Sequence, residues 1–558
     1  MGTMARKLLK GTLLLTITGF ATRILGFFYR IYLADMLGAH YLGIYQLIFP
    51  VYAICFTIYG AGIQTALSQV IASEKNQNDN TCSVMKIFRT GTAIALLLAF
   101  GLQFFMWWKA EWIALHFVME PALTPYLRIM AVFFPFCCLS ACINGYYYGI
   151  QDAKIPAITQ VIEQIFRIFF VFGMTFFMMP DATVEEKCRI AVWGLAAGEI
   201  SSCFFNVWKL WKHCRNGLKK RSFGERFRTG NVLKQGNRAS AISLQTQDNC
   251  CSQGMRSLLW LASTLTLTRL FITFLNSVET VLLPAMLKRY GCSSEEALSI
   301  YGVLTGMTFS FLLFPSTITN SLAVLLVPSV AEADAAGDTR MIRRSISLSI
   351  RYCLLLGILC TGIFMVFGKE LGLVIFHNEL AGDFLVTLSW LCPFLYLGTA
   401  LTSIINGMKK THISFVITAV SLGVRILFLL WAVPVYGMRL YLIGLLVSQL
   451  LQVLLELLYL KPYLWAGNDA ETGRTEEDFD AFRGIFVPGI LLIPSAVAAK
   501  SSYRWLGSCF SDCYAILYLA AAGMIFCMIY LAGLLLTGGI TLSFLRKRNP
   551  SAVPSRQR

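Results

Sequence analysis

The chain has 558 residues, 56% hydrophobic and only 14% charged, with mean hydropathy +0.64. A soluble protein carries about a quarter charged residues, so this composition excludes a soluble globular fold and indicates an all-α polytopic membrane protein. The net charge of +17 does not point to nucleic acid: about ten Lys and Arg lie between Lys209 and Arg238 with Glu225 the only acid among them, the pattern of a basic cytoplasmic loop between apolar spans.

A membrane-crossing helix needs about 20 mostly apolar residues. That rule gives about fourteen spans in chain order: 11–34, 43–72, 84–107, 125–149, 155–180, 189–211, 257–287, 299–328, 346–368, 384–407, 413–433, 440–461, 484–500 and 514–540. The first run is too long for a signal-peptide core and no small-residue cleavage site follows it, so it reads as a span. Pro488 and Pro494 interrupt the thirteenth. With a cytoplasmic N-terminus, about 31 of the 47 Lys and Arg lie inside and about ten outside, which sets the orientation with both termini in the cytoplasm.

The chain repeats itself. "FPFCCLSACINGYYYGIQDAKIPAITQVIEQIFRI" begins at Phe134 and "CPFLYLGTALTSIINGMKKTHISFVITAVSLGVRI" at Cys392. At this one offset Pro135 meets Pro393, Gly149 meets Gly407, and Arg167-Ile168 meets Arg425-Ile426. Apolar helices match leucines by chance, but not Pro, Gly and an intramembrane Arg in register. An even number of spans separates the copies, so the repeat is parallel, as in transporters whose two bundles enclose a central cleft. The expected organisation is an N-terminal six-helix bundle (1–211), a basic cytoplasmic linker (212–256), a second six-helix bundle (257–462), an acidic cytoplasmic loop (463–483), and two additional helices with a basic tail (484–558).

Charged groups within spans usually face a cavity or one another. In "ITGFATRILGFFYRIYLADMLG", Arg23 sits about twelve residues into its helix, roughly 18 Å along it and so near mid-membrane. Arg30 follows two turns later on the same face. A central Arg costs about 2.5–3.5 kcal/mol on insertion scales, and no acid lies within four residues of Arg23. Arg167 has Glu163 in the favourable i, i+4 arrangement. Its counterpart Arg425 has Ser421 there, so the second copy is expected to present the more exposed cation. Glu279, in "FLNSVETVLLP", reads either as a partner for Arg23 or Arg269 or as a coupling-ion ligand, beside a helix break at Pro284. Arginines outnumber acids in the spans, and the forked guanidinium suits phosphate. The substrate-binding candidates are Arg23, Arg30, Arg167, Arg425, Glu163 and Glu279. Scattered cysteines and five isolated histidines predict no metal, and no nucleophile–base pair predicts an enzyme.

The opening stretch "KGTLLLTITGFATRILGFFYRIYLADMLGAHYLGIYQLIFPVYAICFTIYGAGIQTALSQVIASE", with "QVIEQIFRI" after "GIQDAKIPAI", resembles the stage V sporulation protein B group. That group belongs to the polysaccharide branch of the multidrug/oligosaccharidyl-lipid/polysaccharide (MOP) flippase superfamily. The resemblance implies two six-helix bundles forming a V and flipping of lipid-linked sugars for the cell envelope, as in the related lipid II flippases. Their first-helix "SR-x-LG" motif supplies a cavity arginine; "TRILG" matches it at Arg23. Their next first-helix arginine directly follows the motif, whereas here Tyr29 intervenes before Arg30. Their second-span arginine has no match in "FPVYAICFTIYGAGIQTALSQV". In lipid II flippases two extra spans form a groove for the lipid tail.

The expected function is export or flipping of an undecaprenyl-pyrophosphate-linked sugar, such as a peptidoglycan precursor, for cell-wall or spore-cortex synthesis by alternating access. The expected partners are that anionic substrate and membrane lipids; the protein acts as a monomer, without nucleic acid or cofactor, its energy source being membrane potential, Na⁺ or H⁺. The alternative is a MATE-type cation-coupled multidrug antiporter using Glu279 or Glu163.

Overall fold

The structure is a computed structural model that describes residues 3–77, 81–178, 181–228, 238–465, 486–509 and 514–537. The acidic 463–483 loop and the C-terminal basic tail fall almost wholly outside the described residues, as do the side chains of the linker from 216 onward.

Among the described residues every regular element is helical. The helices are α1 (Thr3–Phe56), α2 (Gly62–Gln77), α3 (Thr81–Trp112), α4 (Thr124–Val132), α5 (Phe134–Gly149), α6 (Lys154–Gly173) and α7 (Val184–Arg228), then α8 (Arg238–Tyr290), α9 (Ser294–Gly302) and α10 (Phe309–Leu313). There follow α11 (Ser316–Ala335), α12 (Thr339–Phe376), α13 (Glu379–Leu388), α14 (Cys392–Gly407), α15 (Thr411–Trp431), α16 (Val433–Tyr436), α17 (Met438–Trp465), α18 (Val487–Cys509) and α19 (Ala515–Leu536). A π-helical turn over Thr57–Ala61 joins α1 to α2, and another over Val303–Thr308 follows α9.

Each expected span overlaps a helix, but among the described residues eleven helices are long and apolar enough to cross a membrane, or twelve if Pro121–Val132 and Phe134–Gly149, bent by 46°, form one span. The difference from fourteen has physical causes. The first two expected spans are both present and run together as Thr16–Ser73, meeting at a kink at Gly38, whose φ of 66° and ψ of 174° lie in a region that favours glycine. The eighth expected span divides near Pro315, and α11 carries Glu332 and Asp334 in its last turn. α18 carries Lys500 and Arg504. The helix break expected at Pro284 is absent, since α8 runs through it. Pro488 stands in the first turn of α18, where its missing N–H leaves no bond unmade.

The helices pack as two compact units, Met1–Ser310 with Leu422–Tyr441, and Phe311–Ser421 with Leu442–Arg558. Within each, glycines set the close crossings. In the first unit a Cβ on Gly149 of α5 would meet Ser68 O of α2 at 3.0 Å. In the second, a Cβ on its repeat counterpart Gly407 of α14 would meet Val327 O of α11 at 2.9 Å. The same glycine serves the same crossing in both copies, so the repeat read from sequence is a repeat of packing. In the second unit α12 also carries α18 and α19, with Phe367, Ala499, Ala522 and Phe526 buried together.

A close backbone-to-backbone crossing joins α1 to α9. A Cβ on Gly43 would stand 2.1 Å from Leu298 O, and one on Gly302 would stand 2.1 Å from Ala39 O. Here backbone meets backbone, as small residues permit in membrane helices. Nearby, Lys288 Nζ donates to Glu120 Oε2 at 2.8 Å, and Ser294 Oγ donates to the same oxygen at 3.1 Å. Gly43→Ala must push the two helices apart and is expected to cost about 1–3 kcal/mol, read as a lowered unfolding temperature of the purified protein. Gly101→Ala, where a Cβ meets nothing within 4 Å, should leave that temperature unchanged or slightly raised.

Candidate functional site

The candidate residues lie on α1, α6, α8 and α15, and all belong to the first unit. The cations among them fall into two chemical classes.

Arg167 and Arg425, the repeated pair, are both neutralised. Arg167 donates through Nη2 to Glu163 Oε1 one turn earlier on α6, and the two side chains are 17% and 27% exposed. Gly198 lets α7 approach, since a Cβ there would meet Glu163 O at 2.8 Å. This brings Glu199 of α7 within electrostatic range of both Glu163 and Arg167. Tyr52 of α1 donates to Glu199 Oε1 at 3.3 Å. The i, i+4 pair is therefore present as expected and is embedded in a larger polar cluster.

Arg425 departs from expectation. It is as shielded as Arg167, at 18% exposure, because Glu279 of α8 replaces the missing helix partner; Nη1 lies 3.4 Å from Glu279 Oε2. Tyr441 donates to the other oxygen, Glu279 Oε1, at 2.8 Å. Glu279 thus engages neither Arg23 nor Arg269 among the described residues. Arg269 instead donates to Ala61 O at 2.9 Å; that carbonyl sits at the end of the π-helical turn, where the i→i+4 ladder is interrupted. Sequence reasoning found Glu163 because its partner is four residues away. It missed Tyr52 and Tyr441, which no local spacing could reveal.

Arg23 and Arg30 form the second class. Both are exposed, and among the described residues neither forms an ion pair. The face they share is open: a Cβ on Gly19, one turn before Arg23, would meet nothing within 4 Å, and one on Gly26 would meet only Gln164 Nε2 of α6, at 3.7 Å. Arg30 lies within electrostatic range of Arg167 and of Tyr45. The open face of α1 therefore runs beside the Glu163–Arg167–Glu199 cluster. Such an arrangement offers forked donors to an oxyanion and acidic groups that hold the neighbouring cation in place. Among the described residues no cluster of His, Cys, Asp and Glu could hold a metal ion.

Removing one member of the shielded Arg425–Glu279 pair strands a charge, at a typical cost of about 3–5 kcal/mol. Glu279→Gln alone should therefore destabilise the protein to heat or detergent more than Glu279→Gln combined with Arg425→Met, the two compared by unfolding midpoints.

This geometry can be set beside known proteins. A profile described as "Polysaccharide biosynthesis protein" matches residues 8–334, and the MatE profile matches residues 269–431. The chain is 26% identical over 437 residues to the stage V sporulation protein B of Bacillus subtilis (strain 168), covering 75% of this chain and 79% of that protein. Its fold is similar to an inward-facing multidrug resistance MATE family transporter of the MOP superfamily, with 13% identity, TM-score 0.60, and coverage of 83% of this chain and 100% of that one. It is also similar to lipid II flippase MurJ in an inward closed conformation, with 14% identity, TM-score 0.57, and coverage of 94% and 100%. At these identities the two structures speak for the fold, which is the helical multi-pass architecture of that superfamily. Because the first profile spans more than half of its length, the chain belongs to the polysaccharide biosynthesis protein family.

Proposed function

We propose that this protein flips an undecaprenyl-pyrophosphate-linked sugar, such as a peptidoglycan precursor, across the cytoplasmic membrane of a bacterium. The observation that carries the reading is the contrast between the arginines: two are shielded and paired, while Arg23 and Arg30 stand exposed on one open face of α1. A diphosphate supplies the negative charge those two guanidiniums lack. The head group binds along this face, and the polyprenyl tail stays in lipid. The chain's two six-span halves, 1–211 and 257–462, carry out alternating access, with both termini in the cytoplasm and the protein acting as a monomer. Membership of the polysaccharide biosynthesis protein family supports a lipid-linked sugar as cargo and a transport role rather than an enzymatic one.

The MatE match over 269–431 favours a second reading, an antiporter exchanging cationic drugs for Na⁺ or H⁺. That chemistry asks for carboxylates free to meet cations, and Glu163 and Glu279 are each already engaged by an arginine.

In proteoliposomes carrying a fluorescent lipid-linked precursor, Arg23→Ala is expected to abolish flipping, at least tenfold below wild type, while membrane insertion and unfolding temperature stay unchanged. Wild-type flipping by Arg23→Ala would refute the assignment. Drug resistance gained on expression in an efflux-deficient host would transfer the function to the second reading.

A further inference from the structure

Glu456 on α17 is a charged residue type placed where a charge is hard to hold. Its exposure is 0%. Thr402 Oγ1 of α14 donates to Oε1 at 2.6 Å, and Gln452 Nε2, one turn back on α17, donates to the same oxygen at 3.2 Å. Oε2 is buried and has no hydrogen-bond partner among the described residues. All of these groups lie within the second compact unit.

Among the described residues no counter-charge acts on this carboxyl. The groups that act on the Glu456 carboxyl are Thr402 and Gln452, neither of which titrates. On the same helix Ser448 is buried and donates to Leu445 O, and Gln449 packs toward Gly398 of α14. Further along, Tyr459 interacts with Tyr463 and Asp334 rather than with Glu456, and Lys461 is exposed. Glu163, Glu199 and Glu279 each have an arginine or a phenol as neighbour. Glu456 has two uncharged donors on one oxygen and nothing on the other.

A buried carboxylate without a cation is strongly disfavoured, so a ligand of positive charge is required. A metal ion does not suit the site. Hard cations such as Ca²⁺ and Mg²⁺ take about six or more oxygens, whereas one carboxylate is present and both neighbours turn donors toward it. A proton needs only the free oxygen.

We propose that Glu456 is a proton-binding site. A hydronium ion delivers its proton to Oε2 and leaves as water, and the O–H bond breaks again, its electron pair staying on the carboxylate and its proton passing to a water molecule, when α14 and α17 part enough to admit water. Thr402 and Gln452 are positioning residues that hold Oε1 and leave Oε2 as the reactive atom. The inference concerns this carboxyl alone and does not depend on the cargo.

The test is infrared difference spectroscopy of the full chain in lipid nanodiscs, wild type against Glu456→Gln, at neutral pH. The expected result is a carboxylic-acid C=O band in wild type that shifts in D₂O, disappears in alkali, and is missing from Glu456→Gln. A pair of carboxylate bands in its place overturns the proposal, as does an acid band that Na⁺ at fixed pH removes, since the ligand would then be a metal cation. Should Glu456→Gln fail to fold, Thr402→Val retains the carboxyl and removes a donor that favours its ionised form. Loss of the band at more alkaline pH than in wild type supports the assignment, and an unchanged titration overturns it.

Discussion

Pairing of guanidinium with carboxylate inside the apolar interior is the constraint on which the rest of this structure depends. An unpaired arginine there is expensive, so each one must be matched or given a polar surrounding. The two repeat copies meet this demand differently. The first solves it within one helix, through Glu163 and Arg167 on α6. The second borrows Glu279 from α8, and that borrowing ties the end of α15 to α8 in a way the first copy does not need. Equivalent arginines are kept and their partners are not, so the duplicated halves have diverged in wiring while keeping charge balance.

Against that background the first helix is exceptional. Arg23 and Arg30 lie on a face lined by Gly19 and Gly26, residues too small to fill the space beside them. The same choice of glycine that elsewhere brings backbones together here leaves room. At Gly43 and Gly302 a missing side chain permits contact; at Gly19 it leaves a vacancy. Both uses occur along one helix, so α1 combines a firmly packed limb with an open one.

Much of this was legible in the sequence, for identifiable reasons. Hydropathy located the helices because a span must be apolar over a fixed length. The repeat was legible because Pro, Gly and Arg are rarely interchangeable with other residues, and the Gly149 and Gly407 crossings show why. The Glu163–Arg167 pair was legible because helical spacing fixes it. What stayed hidden was non-local. Nothing near Arg425 announces Glu279, which lies 146 residues away, and nothing announces Tyr441 on its far side. The sharpness of the turn between the first two spans also escaped, since one glycine does the work a loop was expected to do.

That glycine has a mechanical corollary. A loop of several residues absorbs displacement, so two spans joined by one can drift independently. Gly38 provides a single pivot between the arm bearing Arg23 and the arm bearing Gly43, with no slack on either side. A swing of the cationic arm therefore turns about one residue, and the packed glycine seam with α9 fixes where that residue stands, so the first helix of this protein is a hinge leaf rather than a wall.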